Sequence, residues 1–349
     1  MSDTPPNDLA LSDEVACISV MQPAPMQPVP AHSRATVVVS AGTAVVWGGL
    51  VAVQSRINGE LGAKLSDGFL AALISFASGL VIVGVALAVS RSGRVGVAHA
   101  RDAVRSGTLP WWYLGGGFAG ALFVLSQGIT VATIGIALFT VAAVAGQTLS
   151  GLVIDARGIG SVGPQRVTLA RAIGSAVTLI AVIVSVAPQV QTHAPLWMLL
   201  MPLIVGLLLG WQQAVNGQVK SRTGSAVAAT FFNFLSGTLL LLVGAVIHTA
   251  LAGLPRSLPR GPYLYLGGII GVIFIAGFAV ITPIIGVLVQ SLAAVSGQLV
   301  VSLLLDFLAP TSPEAVAWTT IVGTVLALAG VAIATVPPRA KTALAVESP

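Results

Sequence analysis

Apolar runs recur from residue 35 to residue 336, separated by short polar joints. They fall near 35–55, 69–90, 110–130, 134–154, 168–188, 196–215, 226–249, 262–281, 284–305 and 315–336. A helix crossing the hydrocarbon core needs roughly 20 apolar residues, so the pattern predicts about ten transmembrane helices. The third and fourth runs are nearly fused, as are the eighth and ninth. Read as one helix, each fused run would exceed about 40 residues, far more than a bilayer needs. Gly135 and Gly286, the latter just after Pro283, mark the predicted joints, because Gly or Pro can end one helix and open the next.

The ends of the chain break the pattern. Residues 1–34 are rich in Pro, Ser, Asp and Gln, and the stretch Pro23–Pro30 cannot hold a helix. They are expected to form a disordered cytoplasmic tail, with a second tail over 338–349. The single cysteine, Cys17, lies in the first tail and has no partner for a disulfide or a metal site. The first apolar helix is expected to act as an uncleaved targeting signal.

Composition agrees with lipid as the solvent. Of 349 residues 56% are hydrophobic and 8% charged, with a mean hydropathy of +0.97. A soluble domain is about a quarter charged. The net charge of +5 does not point to nucleic acid, because the basic residues sit in the joints between apolar runs. With the N-terminus inside, the inner side receives Arg34, Arg91, Arg94, Arg101, Arg105, Arg157, Arg166, Arg171, Lys220, Arg222, Arg339 and Lys341. The outer side receives Arg56, Lys64, Arg256 and Arg260. This bias predicts a multi-pass protein of the cytoplasmic membrane with both termini in the cytoplasm.

The chain also repeats itself. At an offset of 158, Gln54 matches Gln212, Asn58-Gly59 matches Asn216-Gly217, Phe76 matches Phe234, and Ser78-Gly79 matches Ser236-Gly237. Further on, the run from Tyr113 to Gly116 aligns with that from Tyr265 to Gly268, Gly146-Gln147 with Gly297-Gln298, and Asp155 with Asp306. The predicted units are 35–189 and 190–337. Each holds five helices, an odd number, so the second enters the membrane from the opposite side. The expected fold is an all-α integral membrane protein built as two inverted five-helix repeats, an architecture common in secondary transporters.

The same residues carry a resemblance. The segments beginning at Asn58-Gly59 and Ile74-Ser75-Phe76, the opening Trp111-Trp112 before Leu114-Gly115-Gly116, and the helix from Gly146-Gln147 to Asp155 resemble the drug/metabolite transporter superfamily. More narrowly they are similar to its YdcZ-type inner-membrane family, related to EamA-domain proteins. The resemblance covers roughly 36–336. The second copy departs from it, with Lys220 where the first has Gly62 and with no counterpart of Trp111-Trp112. It implies a ten-helix fold, cytoplasmic termini, and a central cavity lined by both halves.

Polar residues inside apolar runs are the candidate site. Asn58 and Asn216 are read either as C-caps, with Gly59 and Gly217 at positive φ, or as substrate or gate contacts. Gln54 and Gln212 share their helices one turn earlier and face the same way. Gln147 and Gln298 lie mid-helix, where an amide must face protein or water, so they line a cavity or bond another helix. Gln127 and Gln290 are weaker candidates of the same type. Asp155 and Asp306 end their helices against an unfavourable dipole. They are read first as solvated interfacial charges, with a gate salt bridge or proton site as the alternative. Trp47 and Trp211 are deep enough to line a pocket, whereas Trp111, Trp112, Trp197 and Trp318 start segments and should anchor at the interface. The glycine runs 115–120 and 267–271 are read as close helix packing.

No catalytic motif, cofactor site or metal ligand set is visible, and no Walker A lysine, so any transport is facilitated or gradient-coupled. No charged residue lies near the middle of a predicted helix. The expected function is therefore secondary transport of a small neutral or zwitterionic metabolite or drug-like compound, with export as the direction that the family resemblance implies. The expected partners are the bilayer and that substrate, and the pattern admits a homodimer. A non-transporting membrane subunit or receptor is the alternative.

Overall fold

The computed structural model describes residues 33–159, 168–186, 195–255, 257–309 and 318–334. Both predicted tails lie almost wholly outside these residues, as do Cys17, Arg166, Arg256, Arg339 and Lys341. The described residues form helices and no strand. In order these are α1 (Arg34–Leu65), α2 (Gly68–Val89), α3 (Arg91–Arg105), a 3-10 turn (Trp111–Gly115) running into α4 (Gly117–Ile134), α5 (Ile136–Arg157) and α6 (Leu169–Val186). The second half has α7 (Leu196–Thr223), α8 (Ala226–Ala252), a 3-10 turn (Pro262–Tyr265) running into α9 (Gly267–Leu308), and α10 (Trp318–Ala334). Among the described residues, eight helical segments are long and apolar enough to cross a membrane, and α6 and α10 supply shorter apolar stretches. The fold is an all-α membrane protein.

The joints fall on the two predicted glycines. Gly135 (φ 78°, ψ 158°) separates α4 from α5, and Gly286 (φ 78°, ψ 164°) breaks α9 into two halves. That conformation is essentially restricted to glycine, since a Cβ would clash with the backbone.

Helix α3 is an element that the hydropathy pattern does not reveal. Ser90 caps it by accepting from Gly93 N–H at 3.0 Å. Its buried side, Gly93, Gly96 and Ala100, packs on the start of α8, where a Cβ on Gly96 would strike Ser225 and Ala228. Its other faces carry Arg91, Arg94, Arg101 and Arg105.

The two copies repeat their contacts in exchanged form. A Cβ on Gly48 (α1) would strike the backbone of Ala294 in the second half of α9, and one on Gly206 (α7) would strike the backbone of Ala143 in α5. Conversely Gly297 faces the Val45 carbonyl, and Gly146 faces the Leu203 carbonyl. Each of these residues is matched by its partner in the other copy, at offset 158 in α1 and α7 and at 151 in α5 and α9. Only small residues let helix backbones approach this closely, which is how membrane helices pack when burial in lipid offers no hydrophobic gain. A two-fold relation between the copies thus places α1 against the second half of α9 and α7 against α5, while α2 meets α8 and α6 meets α10.

The same logic corrects the register of the glycine runs. Gly116 lies against the Asn216 amide oxygen and Gly267 against that of Asn58. Gly117 lies on the Asn233 carbonyl and Gly268 on that of Ser75. Equivalence therefore runs Gly116 to Gly267, one residue away from the alignment that the matching tyrosines suggest. The glycines are set by backbone approach, and Tyr113 and Tyr265 precede that constraint.

Candidate functional site

The Gln–Asn pairs sit on α1 and α7, and all four side chains are buried. On α7 the two amides converge: Gln212 Nε2 donates to Asn233 Oδ1 at 2.8 Å, and Asn216 Nδ2 donates to the same oxygen at 2.9 Å. On α1 they diverge. Gln54 Nε2 donates to the Gly267 carbonyl at 2.7 Å. Asn58 Nδ2 donates to Gln127 Oε1 on α4 at 2.7 Å, Gln127 Nε2 donates to Ser55 Oγ at 2.8 Å, and Ser55 donates to the Val51 carbonyl at 2.8 Å. The difference has a sequence cause. Asn233 stands where the first copy has Ser75, and Gln127 stands where the second has Phe278.

The capping role expected of the Asn-Gly pairs does not hold. Helix α1 runs through Asn58-Gly59 to Leu65, and α7 runs through Asn216-Gly217 to Thr223. The left-handed caps fall seven residues past the glycines, on Ser66 (φ 52°) and Gly224 (φ 69°), themselves related by the offset of 158. Gly59 and Gly217 instead make room for Val131 and Thr282, again equivalent residues.

A cavity opens between α1, α2, α4 and α5 of the first copy and α7, α8 and both halves of α9 in the second. Six side-chain amides line it: Gln54, Gln147, Gln212, Gln213, Asn216 and Gln298. Five phenylalanines form its apolar walls, Thr282 adds a hydroxyl, and among the described residues no charged one contributes to the lining. None of the described lining residues comes from α6 or α10. The cavity volume is about 50 Å³, enough for a few waters at roughly 10–15 Å³ each.

The cavity treats the two copies unequally. Asn216 and Thr282 line it, but their equivalents Asn58 and Val131 do not. Asn58 is wholly buried in its bond to Gln127. Near it α1 and α4 touch backbone to backbone, since a Cβ on Gly62 would strike Gly128. The second copy has Lys220 and Ala279 at those positions, so the departure at Lys220 marks a looser crossing.

Gln147 is 1% exposed, and among the described residues neither its Nε2 nor its Oε1 has a hydrogen-bond partner. Gln54 Oε1 is also unpaired. Gln290 is held apart from the lining, accepting from Thr282 Oγ1 at 2.6 Å, while Gln213 accepts from Ser291 Oγ at 2.6 Å. Trp47 and Trp211 do not line the cavity. Trp47 packs edge-on against Phe278, at 5.9 Å between ring centroids, and so backs the wall. Trp211 stacks on Trp112 at 6.3 Å. Trp111, Trp197 and Trp318 are exposed at segment starts, as interfacial anchors would be.

Asp306 is not a solvated charge but fully buried. Its Oδ2 accepts from Ala137 N–H at 2.7 Å and its Oδ1 from Ile136 N–H at 3.4 Å, at the start of α5. Arg56 Nη1 lies 3.7 Å from Oδ1, an ion pair rather than a hydrogen bond. The carboxylate opposes the dipole of its own helix but meets the positive end of α5. The break at Gly135 exposes the N–H groups that it caps. The Asp155 side chain lies outside the described residues.

Sequence reasoning passed over Asn233, Gln213 and Ser55. Asn233 could have been found, because it aligns with Ser75 beside the matched Phe234 and Phe76. Nothing in the local pattern singles out Gln213 or Ser55.

A family model described as "Putative inner membrane exporter, YdcZ" matches the chain twice, over residues 39–184 and 197–333. No curated protein shows significant sequence similarity to it. A protein of known crystal structure, 18% identical, is similar in fold over 87% of this chain and 97% of its own, with a TM-score of 0.57.

Proposed function

The chain belongs to the YdcZ family of inner-membrane exporters, and from that premise we propose that it carries a small neutral or zwitterionic compound outward by alternating access between its two copies. The family supports a transporter of the inner membrane, and the substrate class, direction and mechanism extend it. The observation that carries it is the uncharged, amide-rich cavity shared by both copies. Both copies supply helices to it, so an exchange of their conformations would turn the site from one side to the other.

The unequal lining supports a specific state. With the N-terminus inside, as the basic residues favour, Asn216 and Thr282 lie toward the cytoplasm and Asn58 and Val131 toward the outside. The conformation then leans inward. Its outer end is closed by the Asn58–Gln127–Ser55 chain of hydrogen bonds and by the Gly62–Gly128 crossing. Exchanging the copies' conformations would open that end and close the Asn216–Asn233 end.

The test is a metabolite profile inside and outside cells expressing the protein, beside cells expressing Gln212→Leu/Gln298→Leu at matched membrane abundance. The expected result is one or more compounds enriched outside with wild type and not with the variant. If wild type redistributes nothing across broad growth conditions, the transport reading fails.

A further inference from the structure

We propose that the cavity binds a compact, uncharged ligand with a hydrogen-bond donor and an acceptor side by side on one edge of a flat apolar body, as in a lactam or a primary carboxamide. This deepens the transport reading and rests on it for the use of the site.

The argument starts from Gln147. Its side chain is 1% exposed on α5, lines the cavity, and leaves both Nε2 and Oε1 without a partner. A buried amide is costly to leave unpaired, so a structure that keeps one facing a cavity holds binding capacity in reserve. Rotating the amide end by half a turn exchanges nitrogen and oxygen but leaves the same donor–acceptor pair. The inference is thus independent of which atom is which.

The N–H and C=O of a primary amide lie in one plane on one edge. A partner that satisfies both at once must present the complementary edge, acceptor opposite donor, in the same plane. The cis-amide edge of a lactam or carboxamide does so with two parallel contacts. Gln54 adds a further acceptor. Its Nε2 must face the Gly267 carbonyl, which can only accept, and this leaves Oε1 turned to other partners and unpaired. A second donor on the ligand would meet it.

The rest of the wall selects the body of the ligand. Phe76, Phe123, Phe234, Phe274 and Phe278 offer flat apolar surface. Among the described residues no lining side chain could neutralise a formal charge, so an ionised ligand would be buried facing amide dipoles. The small volume of the cavity favours a single ring over an extended molecule.

The test uses the full-length protein in lipid nanodiscs and equilibrium binding of 2-pyridone, whose ring carries the cis-amide edge. Its comparison is N-methyl-2-pyridone, which lacks the donor. Wild type should bind 2-pyridone about 10-fold or more tighter than the methylated compound. Gln147→Leu should lower the affinity for 2-pyridone by a similar factor and erase the discrimination. That variant should also unfold at the same temperature as wild type or higher, because it removes polar atoms that have no partner in the fold. Equal binding of both compounds by wild type, undiminished discrimination in Gln147→Leu, or no binding of 2-pyridone by wild type would each overturn the proposal. Flux of compounds without an amide edge in proteoliposomes, with no 2-pyridone binding, would sink the ligand class and leave transport standing. Amide-selective binding with no flux of any compound would do the reverse.

Discussion

Phe76 and Phe234 meet across the two copies at 5.2 Å between ring centroids, and each ring occupies the space over the glycine three residues beyond the other. Phe234 lies where a Cβ on Gly79 would be, and Phe76 where a Cβ on Gly237 would be. The four residues are related by the offset of 158, so this contact lies on the two-fold relation that joins α2 to α8. Both rings also line the cavity.

Gly79→Ala should therefore overpack this contact and destabilise the protein by about 1–3 kcal/mol, despite the better helix propensity of Ala. Phe234→Leu should restore much of that loss, because the three atoms nearest to a Cβ on Gly79 all belong to the Phe234 ring. At Gly237 the new Cβ would also come 2.8 Å from the Gly117 carbonyl oxygen. There Phe76→Leu should rescue less, since backbone cannot step aside. Thermal unfolding of the purified single and double variants separates the two cases. A neutral Gly79→Ala would contradict the packing described.

Ser66 holds a left-handed conformation at the C-cap of α1, where the second copy uses Gly224. A side chain there costs about 1–2 kcal/mol, part of which is offset by the greater freedom of glycine in the unfolded chain. Ser66→Gly should raise stability by about 0.5–1 kcal/mol, and Gly224→Ala should lower it by about the same amount. Melting temperatures of the two variants should move in opposite directions from wild type.

Asp306 caps α5 through two backbone N–H groups, while its ion pair with Arg56 is longer. Asp306→Ala leaves the N–H of Ala137 unpaired in a buried site and should cost about 1–3 kcal/mol. Asp306→Asn keeps an acceptor oxygen and should cost less. Arg56→Met keeps the apolar stem and removes only the longer contact, so it too should cost less than Asp306→Ala. A denaturation series in which Arg56→Met proves the most damaging would show that the pair, not the cap, holds this end.

The Asn58–Gln127–Ser55 chain closes one end of the cavity in the proposed mechanism. Gln127→Leu should break it and favour opening at that end. In a Cys17→Ser/Val51→Cys background, a membrane-impermeant thiol reagent applied from the outer face should then label Cys introduced at the cavity wall several-fold faster. An unchanged labelling rate would remove this chain from the outer gate.

How much was legible in the sequence follows from which physical effects act locally. The ten apolar segments and the breaks at Gly135 and Gly286 depend on hydropathy, length and the absence of a Cβ, all properties of neighbouring residues. The duplication was visible because identical polar residues stand out in apolar surroundings. Helix α3 escaped because its charges mark a loop in any search for membrane spans, although Ser90 and the spacing of Gly93, Gly96 and Ala100 encode a capped, one-sided helix.

The amino-acid sequence by itself determined that lipid surrounds this chain, that two related halves compose it, and that a few amides must find partners or water inside it. Only the tertiary structure decided which amides those partners satisfy. Asn58 finds Gln127 and Asp306 finds the start of α5 across 69 and 169 residues of chain, so no local pattern announces either pair. The near-identical Asn58 and Asn216 end in different surroundings because Gln127 and Asn233 each occur in one copy only. Gln147 is left unpaired because the neighbouring helices meet it with a cavity rather than with a polar group, a consequence of how their backbones cross.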